Sequence, residues 1–181
     1  MGGAYRLLGF LDESQVREED RDRKGILLCE AVDILLLATD AIIRSPVLRI
    51  PRLATLNAHP GWVPQFRGLG SNYFEMQEGY LPAVSVHQVD EGVDTGPLIV
   101  RRHVAVEPGE GLDAVDRRVE RVQCELFVEV IRRLEAGTVR YVDTFLEPSN
   151  MTQGMSLRRR ARLDAALRAG EVRLRPLGEE A

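Results

Sequence analysis

The chain is poor in residues that mark a special chemistry or compartment. Its 181 residues include two cysteines, one tryptophan and, among many arginines, a single lysine, Lys24. Cys29 and Cys124 stand far apart without metal-ligand companions, which argues for reduced thiols rather than a disulfide framework or a metal site. No stretch approaches the ~20 consecutive apolar residues of a membrane-spanning helix. The N-terminus, where acids and arginines follow quickly, lacks a signal-peptide pattern, so a cytoplasmic protein is expected. The net charge of −4 is mild; bulk electrostatics gives no reason to expect nucleic acid or a membrane as partner, and a small molecule fits better. The scarcity of lysine reads as genome bias. The length suits one domain with a real core.

Along the chain, residues 5–11 form a short apolar run of strand length, and residues 13–24 are a dense charge cluster. Residues 32–38 are continuously apolar, as in a strand covered on both faces. A short helix is predicted over 41–48, a strand over 54–59, a loop through Arg67, and a helix over about 72–79. Strands are predicted over 83–89 and 97–104, separated by an Asp-rich turn. Leu112, Val115, Val119, Val122, Leu126, Val130 and Leu134 recur at steps of three or four, the signature of an amphipathic helix lying along the sheet. This alternation argues for a three-layer α/β fold, parallel early and antiparallel late. We divide the chain into a domain at 1–137 and a C-terminal extension at 138–181. The extension holds a strand at 139–145, a polar linker at 148–154 and an arginine-rich helix over 157–169. That helix also carries Leu157, Ala161, Leu163, Ala165 and Leu167, so docking on its own domain, on a sister subunit or on an anionic ligand is open, with self-association favoured.

The chemistry is concentrated in Leu56-Asn57-Ala58-His59-Pro60, in Pro64-Gln65-Phe66-Arg67-Gly68, and in the run from Val86-His87 through Asp90-Glu91-Gly92-Val93-Asp94-Thr95-Gly96-Pro97. Asn57 and His59 are two apart on a strand end, so both leave the same face while Ala58 points away. Pro60 ends the strand there, placing the pair where ligands bind on such sheets. A neutral donor beside a titratable one reads as an acyl-transfer site, with Asp94 as third member.

Taken together and in this order, Asn-x-His-Pro, Pro-x-Phe-Arg-Gly, His-x-Val-Asp and Asp-Thr-Gly-Pro resemble the folate-dependent formyltransferases, a family that includes glycinamide ribonucleotide, methionyl-tRNA and sugar-amine formyltransferases. The resemblance covers roughly residues 32–134. It implies a Rossmann-like α/β fold with a mostly parallel sheet, and Asn57, His59 and Asp94 as the catalytic trio. It also implies that Asp40, Ala41, Ile42 and Ile43, with Asp90, Glu91, Gly92 and Val93, hold the pterin of 10-formyltetrahydrofolate. The expected activity is formyl transfer to an amine of a small-molecule acceptor. Such chemistry needs donors for the oxyanion and a route for the amine proton. Asn57 and cationic His59 supply the donors, and Asp94 orients His59 and relays the proton. His87 reads as support for the Asp94 loop, Arg67 and Gly68 as shaping the substrate mouth. Asp90 and Glu91 either raise a neighbour's pKa or face solvent. A metal on His59, His87 and Asp94 is not expected, because Asn57 and the Asp-Thr-Gly-Pro turn add nothing to one.

The departures from the family pattern are also informative. Family members begin with a strand, a glycine loop and a helix, whereas residues 5–11 look like the second strand, so the first unit is expected to be missing. Either the start is set too late, another chain supplies the segment, or the fold is rearranged. Since such loops cradle anionic groups, poor turnover of phosphorylated acceptors is expected. Gly61-Trp62-Val63 replaces the usual small-polar and leucine pattern, which alters the acceptor side. The tail is too short for the extra barrel domain of methionyl-tRNA formyltransferases. A formyltetrahydrofolate hydrolase and a non-catalytic folate- or partner-binding relic remain as alternatives.

Overall fold

The computed structural model describes residues 32–37, 43, 47–142 and 151–178. The run at 5–11, the charge cluster at 13–24, Cys29 and Asp40 to Ile42 lie outside the described residues, as does most of the helix expected over 41–48. What is described of that helix is a 3-10 turn, Val47–Arg49.

Among the described residues, four strands form the main sheet: β1 (Ile34–Leu37), β2 (Ala54–His59), β4 (Ala83–Gln88) and β5 (Leu98–His103), side by side in that order. β1 pairs parallel with β2, and the β2–β4 and β4–β5 pairs are antiparallel. This is a Rossmann-like α/β sheet, parallel early and antiparallel late as expected, but with antiparallel β2–β4 and β4–β5 pairs it is mixed among the described residues rather than mostly parallel. Helix α1 (Ser71–Gln77) links the region after β2 to β4, and α2 (Leu112–Glu135) follows β5. α3 (Leu157–Arg168) is followed by a segment that pairs with the loop after α1 through a bridge from Arg175 to Tyr80.

Side-chain parity divides the sheet into two faces. Ile34, Leu36, Ala54, Leu56, Ala58, Val84 and Val86 form one core with Val115, Val119, Leu126 and Val130 of α2. Burying each of the valine, leucine and isoleucine side chains contributes roughly 1.5–3 kcal/mol. The alternate residues Thr55, Asn57 and His59 of β2, and Ser85 and His87 of β4, therefore leave the opposite face. The register places Asn57 beside His87 and His59 beside Ser85.

Three further expectations need correction. The loop expected through Arg67 contains a strand, β3 (Arg67–Leu69), and the expected polar linker at 148–154 contains β6 (Met151–Gln153), paired parallel to it. Each strand has only three residues, too few to show a period, and part of the pairing runs through a side chain: the single hydroxyl hydrogen of Thr152 is shared between the carbonyls of Leu69 (2.8 Å from Oγ1) and Arg67 (3.0 Å). The strand expected over 139–145 is represented among the described residues only by a bridge from Val142 to Leu98.

The arginine-rich helix packs on its own domain. Leu163 and Leu167 of α3 enter the main core, while Leu157 is 84% exposed. Two polar ties fix α3 to the first turns of α2. Asp164 Oδ1 accepts from the Leu112 backbone N–H at 2.6 Å, and Arg160 Nη2 lies 2.7 Å from Asp116 Oδ2. The first tie satisfies a helix-start donor that has no partner within its own helix. No helix among the described residues is long and apolar enough to cross a membrane.

Candidate active site

Asn57, His59, His87 and Asp94 meet at one end of the sheet, on the face away from the α2 core. β2 brings Asn57 and His59 to the same side by parity, and β4 brings His87 beside Asn57. The turn after β4 folds Asp94 over all three. Its carboxylate takes a bond on each side: Oδ2 lies 3.2 Å from His59 Nδ1 and accepts from the Gly68 N–H at 2.9 Å. Oδ1 accepts from Asn57 Nδ2 at 3.2 Å and lies 3.4 Å from His87 Nε2. Burial by itself would raise the pKa of Asp94. The charge on His59, the hydrogen bond from His87 and the Gly68 N–H outweigh it and hold this carboxyl well below the usual carboxylate range.

The backbone around Asp94 is unusual in a way that fits this role. Asp94 has φ of 51°, a left-handed conformation that side chains other than glycine seldom adopt. Such a residue persists only where surrounding contacts over-determine it, and the contacts above do so. Gly96 is required nearby, because a Cβ there would lie 1.7 Å from the Gln88 carbonyl oxygen. The Gly-rich turn is thus packed against the strand end, with Asp94 at its apex.

His59 is 4% exposed, and each of its ring nitrogens faces an acceptor: Nδ1 the Asp94 carboxylate, Nε2 the Phe66 carbonyl at 2.9 Å. A doubly protonated ring satisfies both. His87 bonds the Gln88 carbonyl through Nδ1 at 2.9 Å, leaving Nε2 between Asp94 and Asn57 Nδ2, the latter at 3.4 Å.

These side chains open into a cleft of about 980 Å³. Of the residues expected to hold a pterin, Ile43, Asp90, Gly92 and Val93 line it, together with Leu37 and Val89. Asp40, Ala41 and Ile42 lie outside the described residues. Glu91 turns instead toward Arg49, 3.4 Å away at the surface. Asp90 Oδ1 is engaged by its own turn, accepting from Gly92 N–H at 2.9 Å and from Thr95 Oγ1. Gly68 lines the cleft. Arg67, expected at the mouth, is instead buried at 5% exposure, with Nη1 3.5 Å from the Val93 carbonyl, where it braces the turn leading to Asp94.

Several cleft residues were not foreseen. Asp116, Glu120 and Gln123 line it from α2, and Arg160 from α3. Gln123 Nε2 donates to the Ala58 carbonyl between Asn57 and His59, at 2.6 Å. The signal was present in α2 as a polar stripe, Asp116, Glu120, Gln123, beside the apolar one. Arg160 carried no such signal, because its position depends on how α3 docks. Its guanidinium lies over the Tyr73 ring, 4.4 Å from the centroid.

Comparison with known proteins gives a consistent result. The family profile described as Formyl transferase matches residues 11–131. A methionyl-tRNA formyltransferase of Aromatoleum aromaticum is 31% identical over 126 residues, covering 68% of this chain and 39% of that protein. The chain thus spans well under half the length of this relative. Among solved structures, glycinamide ribonucleotide transformylase 1 from Symbiobacterium toebii superposes with a TM-score of 0.60 at 28% identity, over 74% of this chain and 68% of that one. In fold alone, an N-formyltransferase from Helicobacter canadensis, solved with folinic acid and dTDP-3-aminofucose, gives 0.55 at 16% identity, over 65% and 44% respectively.

Proposed function

Since the chain belongs to the formyl transferase family, we propose that it moves a formyl group from 10-formyltetrahydrofolate to the amine of a small-molecule acceptor. The observation that carries this reading is the convergence of Asn57, His59 and Asp94 within hydrogen-bond distance at the wall of one cleft. The donor substrate supplies the formyl carbon; its pterin fits the apolar side of the cleft at Leu37, Ile43 and Val89, against the turn that carries Asp90, Gly92 and Val93.

The protein groups divide the work by chemistry. As the acceptor nitrogen bonds to the formyl carbon, negative charge develops on the formyl oxygen. The Asn57 amide carries two hydrogens. One stays on Asp94; the second lies beside His87 Nε2, whose own hydrogen is directed to Asp94, and turns to the formyl oxygen. His59, bonded to a carboxylate and a carbonyl, holds positive charge beside that oxygen. Direct donation from Nε2 requires release of the Phe66 carbonyl. Fixed donors aimed at charge that exists only near the transition state lower the barrier without tightening the ground state. Asp94, kept ionised, accepts the proton lost by the acceptor nitrogen, through His59 or water. The bond from the formyl carbon to the folate nitrogen then breaks, and that nitrogen takes up the proton. One proton leaves the amine and one arrives at the folate, so the exchange balances.

The test is a panel of amines, including glycinamide ribonucleotide, aminosugar nucleotides and methionyl-tRNA, incubated with the chain and 10-formyltetrahydrofolate. Formylated amine is read by mass spectrometry and tetrahydrofolate by absorbance. Tetrahydrofolate released with water as the sole acceptor would turn the assignment to a hydrolase. No release with any acceptor would favour the binding relic.

A further inference from the structure

We propose that Glu75 is a positioning residue for His59, acting through the loop at residues 60–66; the inference rests on the role given to His59 above. Glu75 lies on α1 and is 0% exposed. Its Oε1 accepts from the Trp62 N–H at 2.6 Å and its Oε2 from the Ala83 N–H at 2.9 Å. Burial pushes this carboxyl well above its ordinary range, with the two N–H bonds acting the other way. An apolar side chain would avoid that desolvation cost, so the carboxylate calls for an explanation in what it holds.

What it holds leads directly to the imidazole. The Trp62 carbonyl accepts from the Phe66 N–H at 2.9 Å. The Phe66 carbonyl in turn faces His59 Nε2 at 2.9 Å. Two residues, Trp62 and Phe66, therefore separate the Glu75 carboxylate from the ring. The same loop is pinned at Pro60, whose carbonyl accepts from the Asn72 N–H at 2.9 Å, and at Gly61, whose carbonyl accepts from Ser85 Oγ at 2.7 Å. Those ties fix its start. Ser85 thus holds the carbonyl end of the Gly61–Trp62 peptide and Glu75 its N–H end; the orientation that the pair gives Trp62 sets the Phe66 carbonyl, and hence whether His59 Nε2 keeps its protein acceptor or turns to a ligand.

Glu75→Gln tests this with almost no change of shape. Glutamine offers one acceptor and one donor group to two backbone N–H donors, so one of them is left facing a donor. In the full chain, labelled for NMR, we expect the His59 Nε2 and Phe66 carbonyl resonances to move while His87 Nδ1, held by Gln88, stays. Turnover should fall on the order of ten- to a hundred-fold, as small misplacements near a reacting centre do, with KM for the folate unchanged. A folded variant whose His59 and Phe66 resonances match the parent overturns the proposal. If Glu75→Gln does not fold, the parent chain answers the question by acid titration. The Trp62 and Ala83 amide protons report Glu75, and a His59 Nε2 resonance that tracks the same midpoint supports the link, whereas one blind to it refutes the link. Should His59 respond as expected while His59→Ala retains full turnover, the formyl-transfer role of His59 fails and the positioning stands.

Discussion

His59 Nδ1 and Asp94 Oδ2 lie 3.2 Å apart, with the two side chains only 5% and 11% exposed. A pair so withdrawn from water is sensitive to the loss of either member, because the survivor is left buried without its counter-charge. Asp94→Asn should lower stability at neutral pH by roughly 3–5 kcal/mol, the usual cost of breaking a buried pair from one side.

The same pair sets a pH dependence. The folded chain holds the Asp94 pKa below its unfolded value of about 3.9. Its contribution to stability is therefore complete above that value and is lost as pH falls through the depressed folded one. Chemical denaturation from pH 7 down to pH 3 should show the parent losing more stability than Asp94→Asn at the acid end. Parallel profiles for the two proteins would contradict this.

Gly61→Ala should damage the site from behind. The added Cβ would come to 2.6 Å from His59 Nε2, 2.6 Å from Ser71 Cβ and 2.8 Å from the Phe66 carbonyl oxygen. Over-packing of this kind costs about 1–3 kcal/mol. Melting curves should show that loss, and turnover should fall further than stability because the imidazole itself is displaced.

The tail helix offers a comparison within one element. Leu167, 5% exposed in the main core, should cost roughly 2–5 kcal/mol on replacement by alanine. Leu157, 84% exposed, should change stability by no more than about 0.5 kcal/mol. Urea midpoints of the two variants check this; equal effects would show that α3 is not docked as described.

What could be read in the sequence follows from how local the causes are. The period of α2 and the alternation of β2 and β4 are visible in short windows, so those elements and the shared side of Asn57 and His59 were legible. Asp94 was legible through the turn chemistry of Asp-Thr-Gly-Pro. The β3–β6 pair was not, since it joins Arg67 to the distant Met151 in the C-terminal extension and shows no repeat of its own. Arg67 was misplaced for a related reason: buried, it approaches the Val93 carbonyl across the cleft loop, a contact that spacing does not reveal. Glu75 reads in sequence as one more charge on a polar helix, and only its two backbone partners give it a task.

The most direct measurement is the turnover of Asn57→Ala with 10-formyltetrahydrofolate and whichever amine the parent chain formylates. Removing one oxyanion donor generally costs on the order of 10²–10³ in turnover, and we expect a loss of that size with folate binding preserved in equilibrium titration. Asn57 touches Asp94 and His87 but lies outside the main core, so its removal tests chemistry more than folding. An Asn57→Ala chain that formylates the amine at the parent's rate would contradict the account.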